Sequence, residues 1–273
     1  MRTTKTLAED APSAVYQCRL ALSTKTLTLV ADLLRGHLKA IGSRWRKLPP
    51  GKIALIVLAV LRLADMAGGN NVSASTIRRW LLEVIDLLAA RAPRLDRVLK
   101  QIAKAGGQVV LLDGTLVRTR RRTRQANRKN YNGNHKVHGL LFLALTDEHG
   151  NLIWISSAKP GRSSEITTAR HNKITAWLRR FNLGALADLG FVGLEDDHDN
   201  PVIVTGFKAS KNNPLTKAQK QANRLLNRER AAVEHGIGDL KNWRILTRLR
   251  LNARHATALL RALLVLTRLE VAR

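Results

Sequence analysis

Three charged residues in the stretch Asn227–Leu246 carry the first chemical signal: Arg230, Glu234 and Lys241. At about 100° per residue on a helix, Glu234 lies roughly 40° from Arg230, and Lys241 only about 20° from it. One carboxylate and two cations then share a face, an arrangement able to hold a metal ion beside phosphates. A solvated, salt-bridged face is the plainer alternative, because Arg230 and Glu234 form an i,i+4 pair. Two further acids bear on the choice. Asp113 stands inside the apolar run QVVLLDGTLV, where a buried carboxylate is costly unless something binds it; a hydrogen-bonded core Asp is the other possibility. Asp188 ends the segment ALAD just before Leu189-Gly190, and could equally cap the turn that follows. Carboxylates from three separate segments, without cysteine or convincing histidine ligands, suit hard oxygen-seeking cations, Mg²⁺ or Mn²⁺. Two such ions about 3.5–4 Å apart can activate an attacking oxygen and stabilise a leaving one in phosphodiester cleavage.

The composition points to the same class of substrate. The chain has 273 residues with 47 Lys+Arg against 20 Asp+Glu, a formal charge of +27. Positive charge on that scale implies a polyanionic partner, nucleic acid before an anionic membrane, without specifying any base sequence. A single cysteine, Cys18, excludes a disulfide framework and a multi-cysteine zinc site, and fits a reducing compartment. Residues 1–15 lack a signal-like apolar core, Ile53–Leu61 is too short to span a bilayer, and Arg261 and Arg268 interrupt the run Ala258–Leu269. The expectation is a soluble cytoplasmic protein with no membrane partner.

The elements that must position these residues fall into two textures. Helical spacing covers residues 24–40, then 52–67, then a third helix from Ser73 or Ser75 to about Ala90. The last two predict a helix-turn-helix over about residues 50–92, with Ser75, Thr76, Arg78 and Arg79 facing DNA; an ordinary helical hairpin is the alternative. From Ala105 onward the texture becomes α/β. Strands are predicted at 108–117, 137–146, 151–157, 184–189 and 201–205, with helices at 163–181 and from Thr216. The predicted division is a helical region, 1–104, followed by a catalytic domain, 105–273. Between Arg118 and Lys129 the chain carries seven cations and no acid; Arg118, Arg120, Arg121, Arg122, Arg124 and Lys129 are expected to track a DNA backbone, as is Lys136 beyond them. The acids from Glu195 to Asp199 adjoin one another rather than converge, and are read as a solvent loop.

Several motifs in order carry a resemblance. Asp113-Gly114-Thr115, Lys136-x-His138-Gly139, Trp154 with Pro160-Gly161-Arg162, Ala187-Asp188-x-Gly190-Phe191 and Arg230-x3-Glu234-x6-Lys241 followed by Asn242-Trp243-Arg244 all lie between about residues 50 and 265. Taken together the chain resembles DDE-superfamily transposases of bacterial insertion sequences, in particular the Harbinger-like DDE endonuclease group. The resemblance implies a ribonuclease H-like catalytic fold behind an all-α helix-turn-helix region. It implies Mg²⁺-dependent cleavage of double-stranded DNA at element ends, transfer of the free 3′-OH into target DNA, and an assembly of two or more copies on DNA in a bacterial nucleoid. It makes Asp113, Asp188 and Glu234 the metal-binding triad and Arg230 and Lys241 phosphate-side helpers. The chain departs from the family pattern at Asn227, where a Tyr is usual, at Ser164-Glu165, where His-Asp is usual, and at Leu189 and Phe191. A transposase-derived DNA-binding protein without catalysis, and a nuclease that never rejoins strands, are the rival readings.

Overall fold

The computed structural model describes residues 22–43, 46–59, 63–120, 125–195, 200–210 and 214–271. Two compact units, Met1–Val84 and Ile85–Arg273, divide the chain.

The first unit is helical. Helix α1 (Thr24–Ala40) starts where Ser23 accepts the Thr26 N–H, buries Val30, Leu34 and Leu38 along one stripe, and ends near Gly42, whose φ of 63° suits only glycine well. Helix α2 (Pro50–Leu58) has proline in its first turn. The expected single helix 52–67 is instead α2 and α3 (Leu63–Gly69), with 60–62 outside the described residues. Helix α4 (Ala74–Arg91) begins at Ser73, whose Oγ accepts the Thr76 N–H at 3.1 Å. Its inward stripe is Ile77, Trp80 and Val84, while Ser75, Arg78 and Arg79 are exposed and Thr76 is half-buried. Trp80 is almost fully buried, and Leu81 beside it is half-buried. Arg46 grips Glu83 with both guanidinium nitrogens, at 3.0 and 2.8 Å.

The second unit is a mixed α/β sheet packed on both faces. Helix α5 (Leu95–Lys104) buries Leu95, Val98 and Leu99 in its core. The strands are β1 (Val109–Arg118), β2 (Tyr131–Asn132), β3 (Val137–Thr146), β4 (Leu152–Ile155), β5 (Lys159–Pro160), β6 (Gly184–Ala187) and β7 (Ile203–Thr205). Their order is β2-β3-β1-β6-β7, with β4 and β5 also on β3. β3 runs antiparallel to β1, β4 and β5, whereas β1, β6 and β7 are parallel.

The expected helix over 163–181 is two short ones, α6 (Glu165–His171) and α7 (Ile174–Arg180), because Lys173 turns left-handed at φ 53°. Val110, Leu112, Leu143 and Leu145 bury one sheet face against α5, α6 and α7. Alternation puts Leu111, Asp113 and Ala144 on the other face, which the long helix α8 (Lys217–Lys241) crosses. Helix α9 (Ala253–Val271) packs beside α8 and β4, and the Trp243 indole N–H donates to Thr267 Oγ1 at 2.9 Å. Among the described residues no helix is long and apolar enough to cross a membrane.

Candidate active site

Register brings the first two acids together. Leu112 of β1 faces Ala187 of the parallel β6, so Asp113 and Asp188, one residue further along, are neighbours on adjacent strands. Asp113 lies within β1 and is half-buried. Asp188 follows the last residue of β6, and its Oδ1 accepts the Gly190 N–H at 2.9 Å, opening a 3-10 turn over Leu189–Phe191. The turn-capping role and the acid-pair role therefore coexist in one side chain.

Helix α8 supplies the counter-charge. Arg230 donates through Nη2 to Asp113 Oδ1 at 3.3 Å, while its Nε is buried with no partner. Lys241, three turns on, is close enough to act on the Asp113 carboxyl. Glu234 lies between these two cations along α8 and is exposed; the charges acting on Asp113 and Glu165 come from other groups.

The third acid in the field of the pair is Glu165, which the sequence reading counted only as a departure from the family pattern. Its signal was available: an acid directly after the helix-capping Ser164, at the exit of Pro160-Gly161-Arg162. That turn is clamped by backbone. Gly161 N–H donates to Gly139 O at 3.0 Å, Arg162 N–H to Lys129 O at 3.1 Å, and Asn132 Nδ2 to Gly161 O at 2.7 Å. A Cβ on Gly161 would sit 2.6 Å from Gly139 O and 2.7 Å from Asn130 O, which is why glycine stands here. Ser164 then accepts the Thr167 N–H, and α6 starts with Glu165 aimed at the sheet. The Glu165 carboxylate fills the room left by two missing side chains: a Cβ on Gly114 would overlap Oε1, and one on Gly190 would overlap Oε2. The site is thus built from both layers, Glu165 from one face of the sheet and Arg230 from the other.

This crowding shows in the acidities. Burial, above all, raises Asp113 to about 6, helped by Asp188 and opposed by Arg230, the Gly114 N–H and Lys241. Burial first, then Asp188 and Asp113, raises Glu165 to about 7, with Arg230 opposing. A carboxyl whose folded-state value lies above its unfolded one favours the fold only while protonated. Its contribution is complete below about pH 4 and is lost as the pH climbs through about 6 for Asp113 and about 7 for Glu165. In EDTA the melting temperature should therefore fall between pH 5 and 8, and Glu165→Gln should flatten that fall; a slope unchanged by the substitution would contradict the crowding.

Among the described residues no three His, Cys, Asp or Glu side chains are drawn tightly enough to enclose a metal ion. The donor chemistry nevertheless fits a hard divalent cation. Three carboxylates act on one another with Arg230 as the only cation hydrogen-bonded to them among the described residues, an all-oxygen donor set of the kind such ions take.

The remaining expected residues lie elsewhere. Arg118, Arg120, Lys129 and Lys136 are exposed around the far end of β1 and the start of β3. That end is tied down by Arg120 N–H to Leu249 O and Leu249 N–H to Arg118 O, at 3.0 and 2.9 Å. Arg121, Arg122 and Arg124 are outside the described residues. Glu195 serves the fold: it pairs with Arg179 and accepts the Val202 and Ile203 N–H groups at 2.7 and 3.1 Å, holding the start of β7; Asp196–Asp199 lie outside the described residues. His138 packs edge-on against Tyr131 across β2 and β3, and His135 is exposed.

Comparison with known proteins adds the family. Neither a search of curated proteins nor one of solved structures returned a match. The sequence profile of the DDE superfamily endonucleases matches residues 112–268, a span that opens one residue before Asp113 and takes in every acid and cation of the site. With that match over more than half of its length, the chain belongs to the DDE superfamily endonucleases.

Proposed function

We propose that the protein is a DNA transposase of the insertion-sequence type, which cuts at the ends of its element and joins the freed 3′-OH to target DNA in a bacterial nucleoid. The observation that carries this reading is the pairing of Asp113 with Asp188 by strand register, next to Arg230 on α8. Asp113 and Asp188 would hold one divalent ion or two, Mg²⁺ or Mn²⁺, with Glu165 beside them. Glu234 is retained as the family's third acid because it lies between two cations that both act on Asp113. A bound divalent ion supplies charge stabilisation to the attacking and leaving oxygens. Arg230 and Lys241 hold the phosphate against the acids, and the Gly190 N–H fixes the Asp188 carboxylate.

The strand order, antiparallel through β4, β3 and β1 and parallel through β6 and β7, supports a ribonuclease H-like domain over 105–273 and a Harbinger-like placement. The exposed Ser75, Arg78 and Arg79 on the first turns of α4 support a helix-turn-helix that reads element ends, and Arg118, Arg120, Lys129 and Lys136 a track for the backbone. Assembly as a dimer or larger on paired ends follows from the same reading.

The exposure of Glu234 and the apolar Leu189 beside Asp188 favour one rival, a DNA-binding protein without catalysis. Incubating the full chain with a labelled duplex bearing the element's own ends separates the two. Nicking and joined strand-transfer products should appear with Mg²⁺ or Mn²⁺ and vanish in EDTA. Binding without metal-dependent nicking would leave the rival, and nicking without joined products would leave a plain nuclease.

A further inference from the structure

The parallel strands β6 and β7 end side by side. Ala187 faces Thr205, so the next residues, Asp188 and Gly206, are level, and beyond them Leu189 and Phe207. Both of these apolar side chains are exposed, Leu189 at 47% and Phe207 at 48%. The Leu189 side chain reaches within 3.5 Å of where a Gly206 Cβ would stand, so the two segments touch. Exposed large apolar side chains are ordinary when scattered singly, but a pair adjoining a cluster of carboxylates calls for a ligand with an apolar face.

Phe207 is also held rigidly. Asn223, two turns before Arg230 on α8, accepts the Phe207 N–H at 2.8 Å and donates to the Phe207 carbonyl at 2.9 Å. This reciprocal pair fixes the backbone of Phe207 against the helix that carries the site's cations. Glycine at 206 makes the approach possible, since a Cβ there would lie 3.0 Å from Asn223 Oδ1. The next residue, Lys208, is exposed. An aromatic face on a fixed backbone, followed by a cation, is the pairing that binds single-stranded nucleic acid: the ring stacks on a base and the ammonium meets a phosphate.

We propose that Phe207, flanked by Leu189, is a stacking platform for an unpaired base of the DNA strand held at the acids. The inference rests on the nuclease reading and specifies the form in which the strand is held: one nucleotide beside the scissile linkage leaves the duplex and lies against the Phe207 ring. Leu189 widens the apolar surface, and Lys208 takes a neighbouring phosphate. The platform acts on bases of any identity, because each has a π face.

The test uses the full chain in EDTA, so that binding is read without cleavage. Three fluorescein-labelled duplexes are compared by anisotropy at physiological salt: one blunt, one with a short 3′ tail of thymidines, and one whose tail has abasic sites in place of the bases. The tail with bases should bind about tenfold more tightly than the abasic tail, the stacking of one base. Phe207→Ala should abolish that difference, and Phe207→Trp should keep it. The wild-type comparison needs no variant: equal affinity for the two tails overturns the proposal. A preference that survives Phe207→Ala overturns it as well. Failure of the nuclease reading is seen separately, as absence of metal-dependent nicking in the cleavage assay.

Discussion

Asp113→Asn should lower metal-dependent strand cleavage by on the order of a hundredfold or more and, at pH 7 in EDTA, make the protein more stable. The two effects have one cause. Burial first, and then Asp188, disfavours the ionised form of this carboxylate even with Arg230 attached, and its value rises to about 6. Asparagine keeps the shape and the acceptor for Arg230 Nη2 but carries no charge. Relief of that burial penalty should add about 1–2 kcal/mol of unfolding free energy at pH 7. Catalysis loses an anionic ligand, and charge stabilisation by a bound ion is worth several kcal/mol, each 1.36 kcal/mol being tenfold in rate. Chemical denaturation of both proteins in EDTA, alongside cleavage of the labelled duplex in Mg²⁺, checks both signs. Unchanged cleavage would remove Asp113 from the chemistry; a less stable variant would mean that its burial is compensated better than the geometry indicates.

Gly236→Ala and Gly238→Ala should move the melting temperature in opposite directions, although both glycines lie in the same helix. By propensity alone each change should add about 1 kcal/mol. A Cβ on Gly238 meets nothing within 4 Å, so that gain is realised, raising the melting temperature by about 2–4 °C. A Cβ on Gly236 would overlap the Gly150 carbonyl oxygen and crowd Thr146 Cγ2 at 3.1 Å. Gly150, at φ 84° in the turn between β3 and β4, is matched to the same contact, since its own Cβ would lie 2.5 Å from Ala232 O. Backbone meets backbone here, and neither side can yield by changing a rotamer. Overpacking of this kind costs about 1–3 kcal/mol or more. The expected net loss for Gly236→Ala is about 2 kcal/mol, or roughly 4–8 °C. Because α8 would have to lift from the sheet, Arg230 should also lose its hold on Asp113, and cleavage should fall with stability. Two upward shifts would mean that α8 does not seat on that turn.

The pairing of Asp113 with Asp188 was legible because apolar runs define strands, and an acid within such a run stands out. The face of α8 that bears Arg230, Glu234 and Lys241 was legible from spacing alone, as was α1 to its last residue. What escaped was mostly long-range. Glu165 looked like a lost polar group because its importance depends on two absent side chains, at Gly114 and Gly190, that pattern reading cannot connect. Glu234 shares its helical face with both cations yet stays exposed, since periodicity reports angle around the axis and not depth in a cleft. The break between α6 and α7 turns on Lys173 alone, a residue with no breaker character in its sequence. The reason for a glycine at 236 lies in a turn eighty-odd positions earlier, which no local pattern reveals.

The two-sided construction around β1 has a bearing on how the chain comes off the ribosome. Every carboxylate of the paired set precedes Gly190, but the cations that restrain them belong to α8, which starts only at Lys217. A nascent or prematurely ended product lacking that helix has its acids unrestrained and one flank of its sheet bare, with no guanidinium to grip a phosphodiester. On the proposed nuclease reading, a chain that ends before Lys217 would lack both cations of the site and should not cut DNA.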